Sequence, residues 1–132
     1  MGRFFGLFAK REEPLAERIR IWLHAISTQE TLPPGILALY IGLFEGDTTY
    51  RIYLIGSRSY DAENSDWACD EDFEPERKYL DSGVPTSLDW QTFQAQVVEA
   101  VRAVLGSADP TVLREVEHVS VGFDSGDLTH IV

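Results

Sequence analysis

The sequence predicts an α+β fold in one domain over residues 1–132, an antiparallel sheet of four to five strands with two main helices packed on one face. Three observations carry that expectation. Two segments repeat apolar residues at helical spacing, and several short runs are rich in β-branched and aromatic residues. The two kinds occur in the order α-β-β-(β)-α-β-β rather than in strict alternation, which favours an antiparallel sheet over a parallel one. A chain of 132 residues that is 44% hydrophobic and 11% aromatic is also long enough to bury a core and too apolar to stay disordered.

The first helix is expected over residues 14–29. Pro14 suits a first helical turn, where its missing N–H is not needed. Leu15, Ile19, Trp22, Leu23 and Ile26 then fall on one face, with Glu17 and Arg18 on the other. Residues 31–35, Thr-Leu-Pro-Pro-Gly, break it. The nearly continuous apolar run 36–44 reads as a central strand covered on both faces. A turn over 45–49, with Gly46 able to take positive φ, returns the chain into a strand over 50–56 whose Tyr50, Ile52 and Leu54 share a face. Residues 77–80 suggest a short returning strand and 83–85 a turn. Thr86 or Ser87 is placed to cap a second helix over 88–105, striped by Trp90, Phe93, Val97, Val101 and Val104 and ended by Gly106. Pro110 opens a short helical turn to Arg114. Residues 119–123 and 128–132 then form a hairpin about the Asp124–Asp127 turn.

Charge is the chain's least ordinary property. It carries 22 acidic and 11 basic residues, a net charge of -11. Residues 1–20 hold five basic residues against three acidic, a net of +2; the other six basic and nineteen acidic residues give the remainder -13. Such a body repels nucleic acid, whose binding requires Lys and Arg against phosphates, and attracts a basic protein. A single cysteine, Cys69, excludes an internal disulfide framework and fits a reducing compartment. No apolar run approaches the ~20 residues that span a bilayer. The Phe-rich start lacks a secretory cleavage site, and Gly6 stands where myristoylation favours Ser or Thr. The expected location is cytoplasmic, without integral membrane association.

The acidity concentrates in residues 61–76, which carry eight carboxylates and no basic residue, with Trp67 and Phe73 set among them. Asp61, Glu63, Asp66, Asp70, Glu71, Asp72 and Glu74 supply charge for a basic partner surface, and Trp67 and Phe73 supply apolar anchors. A purely solvated loop over 60–76 has no need of those rings. The same carboxylates are hard oxygen ligands, yet an EF-hand loop needs Gly at its sixth position and Glu at its twelfth. Counted from Asp61 these are Asp66 and Asp72, and no register of the tract supplies the glycine. No dedicated metal site is expected.

Other reaction chemistry finds no motif. Cys69 is surrounded by carboxylates that disfavour its thiolate, so it reads as a small apolar anchor that tucks the loop against the sheet with Trp67 and Phe73. His24, His118 and His130 show no zinc spacing. No phosphate loop, dinucleotide fingerprint or nucleophile elbow occurs, and Gly122–Gly126 reads as hairpin geometry. Asp124 and Asp127 form the next carboxylate pair, held at one end of a sheet by their turn. No cofactor and no catalytic residue is expected. The start, with Phe4, Phe5, Leu7 and Phe8 flanked by Arg3, Lys10 and Arg11, needs cover: it packs onto the core, pairs two copies through Phe4, Phe5 and Phe8, or touches a membrane surface.

In size, acidity and a Trp-Ala-Cys-Asp-Glu-Asp-Phe loop at 67–73 beside a hairpin, the chain resembles bacterial immunity proteins of polymorphic toxin systems. The resemblance is one of general character and carries no site residue across. It implies a non-enzymatic, immunity-type inhibitor that binds a basic protein. Two alternatives remain open: a small-ligand or hydrolytic domain using the clustered carboxylates, and a structural subunit that docks through its Phe-rich start.

Overall fold

The computed structural model describes residues 14–124 and 126–132, so Phe4, Phe5 and Phe8 lie outside the described residues. Pro14 precedes helix α1 (Leu15–Gln29), which buries Ile19, Trp22, Leu23 and Ile26. Strands β1 (Ala38–Glu45) and β2 (Thr49–Ser57) form the expected hairpin, in register from Ala38 opposite Ser57 to Glu45 opposite Tyr50. Gly46 does not take positive φ in its turn. It is needed for close approach, because a Cβ there would lie 2.7 Å from the Thr49 carbonyl oxygen.

The returning strand β3 (Tyr79–Pro85) is longer than residues 77–80 and absorbs the expected turn at 83–85. Ser82–Val84 bulge out where the register shifts between Thr49 and Arg51, and Gly83 takes the φ of +74°. Helix α2 (Trp90–Gly106) is capped by Asp89 rather than Thr86 or Ser87, its carboxylate accepting the Thr92 N–H at 2.9 Å. Phe93, Val97, Val101 and Val104 are buried as the stripe requires, whereas Trp90 at the helix start remains 48% exposed. Strands β4 (His118–Phe123) and β5 (Thr129–His130) close the chain.

The five strands form one sheet in the order β3-β2-β1-β4-β5. It is mostly antiparallel, with one departure from the expected pattern: β1 and β4 pair in parallel, from Ala38 opposite His118 to Leu43 opposite Phe123. The cause lies in the connection. Strand β3 runs with β1, helix α2 carries the chain back, and β4 then sets out in the direction β3 had, so it meets β1 in parallel.

Strand β1 is central and buried on both faces. Leu39, Ile41 and Leu43 point to the helices with Ile52, Leu54, Val119 and Val121, and each fully buried side chain of this kind contributes ~1.5–3 kcal/mol. Tyr50 stacks on Phe93 within that core, ring centroids 4.2 Å apart. Ala38, Tyr40 and Ile55 occupy the opposite face in a smaller cluster with Trp67. Among the described residues, no helix is long and apolar enough to cross a membrane.

Candidate functional site: the acidic tract on the outer face

The tract begins where β2 ends. Ser59 N–H donates to Ser57 Oγ at 3.0 Å, turning the chain, and Asx turns follow: Glu63 N–H to Asp61 Oδ1 and Asp66 N–H to Asn64 Oδ1, both 2.9 Å. A 3-10 helix at Ser65–Cys69 then directs Trp67 inward. Its indole lies edge-on to Tyr40 at 6.4 Å and 5.1 Å from the Tyr60 ring. Four residues beyond the helix, Phe73 and Gly56 exchange backbone hydrogen bonds of 2.9 and 3.0 Å. A side chain at Gly56 would crowd Phe73 Cβ at 3.2 Å, so the glycine permits the bridge. Phe73 joins the helix-side core while Trp67 joins the outer cluster. The tract is therefore fastened to both faces of the sheet.

This placement changes the role of the two rings. Trp67 is 4% and Phe73 8% exposed, so both hold the tract from inside and neither projects towards a partner. Cys69 is exposed and does not share in that anchoring. Asp61, Glu63, Asp66, Asp70, Glu71, Asp72 and Glu74 all face solvent. Three kinds of duty separate them. Asp72 accepts the Arg58 N–H and Asp70 the Ser59 hydroxyl, both at 2.8 Å, so these two carboxylates brace the loop. Glu71 and Glu74 reach Lys78 Nζ at 3.2 and 2.9 Å, which holds the Glu74 carboxyl below its ordinary range and the Lys78 ammonium above its own. The side chains of Glu63 and Asp66 make no hydrogen bond or ion pair among the described residues.

Between the tract and the Asp124 turn lies a recess of about 360 Å³ walled by Tyr40, Tyr53, Asp66, Glu71 and Asp124. Tyr53 donates to Asp124 Oδ1 at 2.5 Å and Tyr40 to the Gly122 carbonyl at 2.8 Å. Burial raises both phenols above their ordinary range, and the Asp124 charge adds to the effect. The ring of Tyr53 continues outward into Phe44 (6.1 Å) and Tyr79 (6.1 Å), an aromatic strip on which Tyr79 is 54% exposed.

A second cluster was not legible from spacing. Tyr60 stacks on His118 with centroids 3.7 Å apart and planes 9° from parallel. His130 Nδ1 lies 3.0 Å from Ser120 Oγ and 3.3 Å from Tyr60 Oη, and His118 Nδ1–H donates to the Val132 carbonyl at 3.3 Å. The signal for the two histidines was their place on opposite arms of one hairpin. Tyr60, some sixty residues away, gave none. Asp127 borders a neighbouring small recess with Asp61, Glu63 and His130, whereas Asp124 serves the tyrosines. No three His, Cys, Asp or Glu side chains among the described residues are grouped to hold a metal ion. No protein-family model, curated protein or solved structure shows a significant match to this chain.

Proposed function

We propose that the chain is a non-enzymatic binding module that captures a basic protein on its outer face, as an immunity-type inhibitor would. The observation that carries this reading is an outward display of carboxylates on a loop anchored by Trp67 and Phe73. The entropy of ordering that loop is spent on folding rather than on binding, which favours affinity. Glu63, Asp66 and Glu71 supply the field that steers a cationic partner. The exposed Tyr79, continuous with Phe44 and Tyr53, supplies the apolar contact first expected of Trp67 and Phe73. A Lys or Arg of the partner fits the recess bordered by Asp66, Glu71 and Asp124, where three carboxylates in a partly enclosed site act on one cation. A hydrolytic reading of the same carboxylates has less support, because Cys69 lies among like charges and both hairpin histidines are engaged by Tyr60, Ser120 or the Val132 carbonyl.

The test follows from the division of labour in the tract. Glu63→Lys with Asp66→Lys removes partner-facing charge and leaves the bracing carboxylates in place. With the wild-type chain immobilised, one basic protein of the source lysate should be retained and released at moderate salt. The double variant should keep its unfolding midpoint and lose that capture. Capture undiminished in the double variant, or no basic protein retained by the wild type, overturns the reading.

A further inference from the structure

Helix α2 carries only two charges in its 17 residues, Glu99 and Arg102, so it is neutral in a chain whose net charge is -11. Both side chains are exposed, and neither makes a hydrogen bond or ion pair among the described residues. The same spacing behaves otherwise on α1, where Arg20 Nε donates to Glu17 Oε1 at 2.9 Å. Glu99 and Arg102 therefore keep their hydrogen-bonding capacity for a group outside the chain. They lie on one outward stripe with Ala95 and Gly106, at successive spacings of four, three and four residues. A furrow of about 420 Å³ beside Leu15 and Ala103 flanks the stripe on one side. Another, of about 470 Å³ beside Trp90, Val98 and Leu128, flanks it on the other, so α2 stands between them as a ridge.

We propose that this ridge pairs with itself: a second copy of the chain lays its own α2 antiparallel along the first, about a two-fold axis that passes between Glu99 and Arg102. Two arguments select a second copy as the occupant. The first is charge complementarity. In that register Glu99 of each copy meets Arg102 of the other, so the symmetry satisfies both charges twice over. A surface of a single sign would attract one of them and repel the other. Ala95 of each copy meets Gly106 of the other, and the lack of bulk there lets the helix axes approach to about 8 Å. Trp90, 48% exposed at the start of α2, comes to the far end of the other copy's helix and gains cover. The second argument is the placement of the acidity. The tract's carboxylates lie towards the opposite face of the sheet, beyond the ~10 Å thickness of α2 itself, which exceeds the ~8 Å Debye length in physiological salt. Repulsion between two like-charged copies is thus screened along this ridge. Asp127 adds a carboxylate at the rim of the larger furrow, and Arg102 lines that same furrow.

Sedimentation equilibrium of the full chain decides it. The wild type should be a reversible dimer at tens of micromolar protein. Glu99→Arg sets Arg against Arg at both contacts, and Arg102→Glu sets Glu against Glu. Each variant alone, with circular dichroism unchanged because both positions are exposed, should self-associate about tenfold more weakly or not at all. Mixed in equal amounts, the two variants should associate with each other as tightly as the wild type does, because every contact then joins opposite charges. A single chain bearing both substitutions should likewise dimerise as the wild type does. A wild-type chain that stays monomeric at that concentration overturns the proposal. So does a dimer indifferent to both reversals, which would sit on another surface. Failure of the mixture and of the double variant to recover association overturns it as well, since the two residues would then not meet across an antiparallel pair.

Discussion

At the scale of single residues, close approach governs the outer face. Gly42 sits opposite Tyr53 in the β1–β2 register, and the tyrosine ring crosses close over it; a Cβ at Gly42 would stand 2.1 Å from Tyr53 Cζ. Backbone and ring are both fixed there, so the added methyl has nowhere to go. Gly42→Ala should destabilise the protein by about 1–3 kcal/mol and lift Tyr53 from Asp124, read as a lower urea midpoint with an unchanged slope. An unshifted midpoint would mean that the Tyr53 ring moves freely, and the recess it walls would not be a fixed shape. Nothing in the sequence marks Gly42 apart from the other glycines, because its constraint is a ring eleven residues away across a strand pair.

Among the elements, the tract behaves as a loop nailed at two points. The bridge between Gly56 and Phe73 fixes one end to β2, and Trp67 fixes the 3-10 helix to Tyr40 and Tyr60. The Trp67 indole N–H is buried without an acceptor, so its contribution is apolar cover rather than hydrogen bonding. Trp67→Ala should cost ~3–5 kcal/mol by the usual toll of emptying an aromatic site. It should also make residues 61–72 a site of limited proteolysis in the folded chain. If the variant lost that stability without added cleavage in the tract, Trp67 would be serving the core and not the loop. The two aromatic positions were visible in the sequence, but their direction was not. An aromatic residue among carboxylates reads equally well as an outward anchor or an inward one until the sheet beneath it is known.

For the molecule as a whole, ionisation bounds stability on both sides. The carboxyls of Asp81 and Asp89 are held below their ordinary range, first by the N–H of Gly83 and of Thr92 respectively. A depressed acid stabilises in full above the ordinary carboxyl value, about 4, and the contribution fades as pH falls through the lowered one. Tyr40 and Tyr53 shift the other way. Their neutral phenols are favoured by burial and by Asp124, so that contribution is whole below the ordinary phenol value of about 10 and is lost as pH climbs beyond it. Thermal midpoints against pH should therefore trace a plateau with an acid and an alkaline limb, and Tyr53→Phe should displace only the alkaline limb to higher pH. An alkaline limb identical in the wild type and in Tyr53→Phe would assign it to other groups.

What the chain's own sequence determined is local. The period of apolar residues set α1 and α2, the apolar and β-branched runs set β1, β2 and the terminal hairpin, and the carboxylates crowded between 61 and 76 kept that tract at the surface. Each of these follows from neighbours within a few residues and from the cost of burying charge. Tertiary structure decided what depends on distant partners. The parallel pairing of β1 with β4 arose because α2 reverses the chain between β3 and β4. The bulge at Ser82–Val84 absorbed a glycine that read as a turn. Trp67 went inward because the outer face offered Tyr40 and Tyr60 to cover it, and Tyr60, His118 and His130 met only once the tract had folded over β4. Long-range contacts of this kind are set by which surfaces remain uncovered after the elements assemble, a quantity no window of sequence contains.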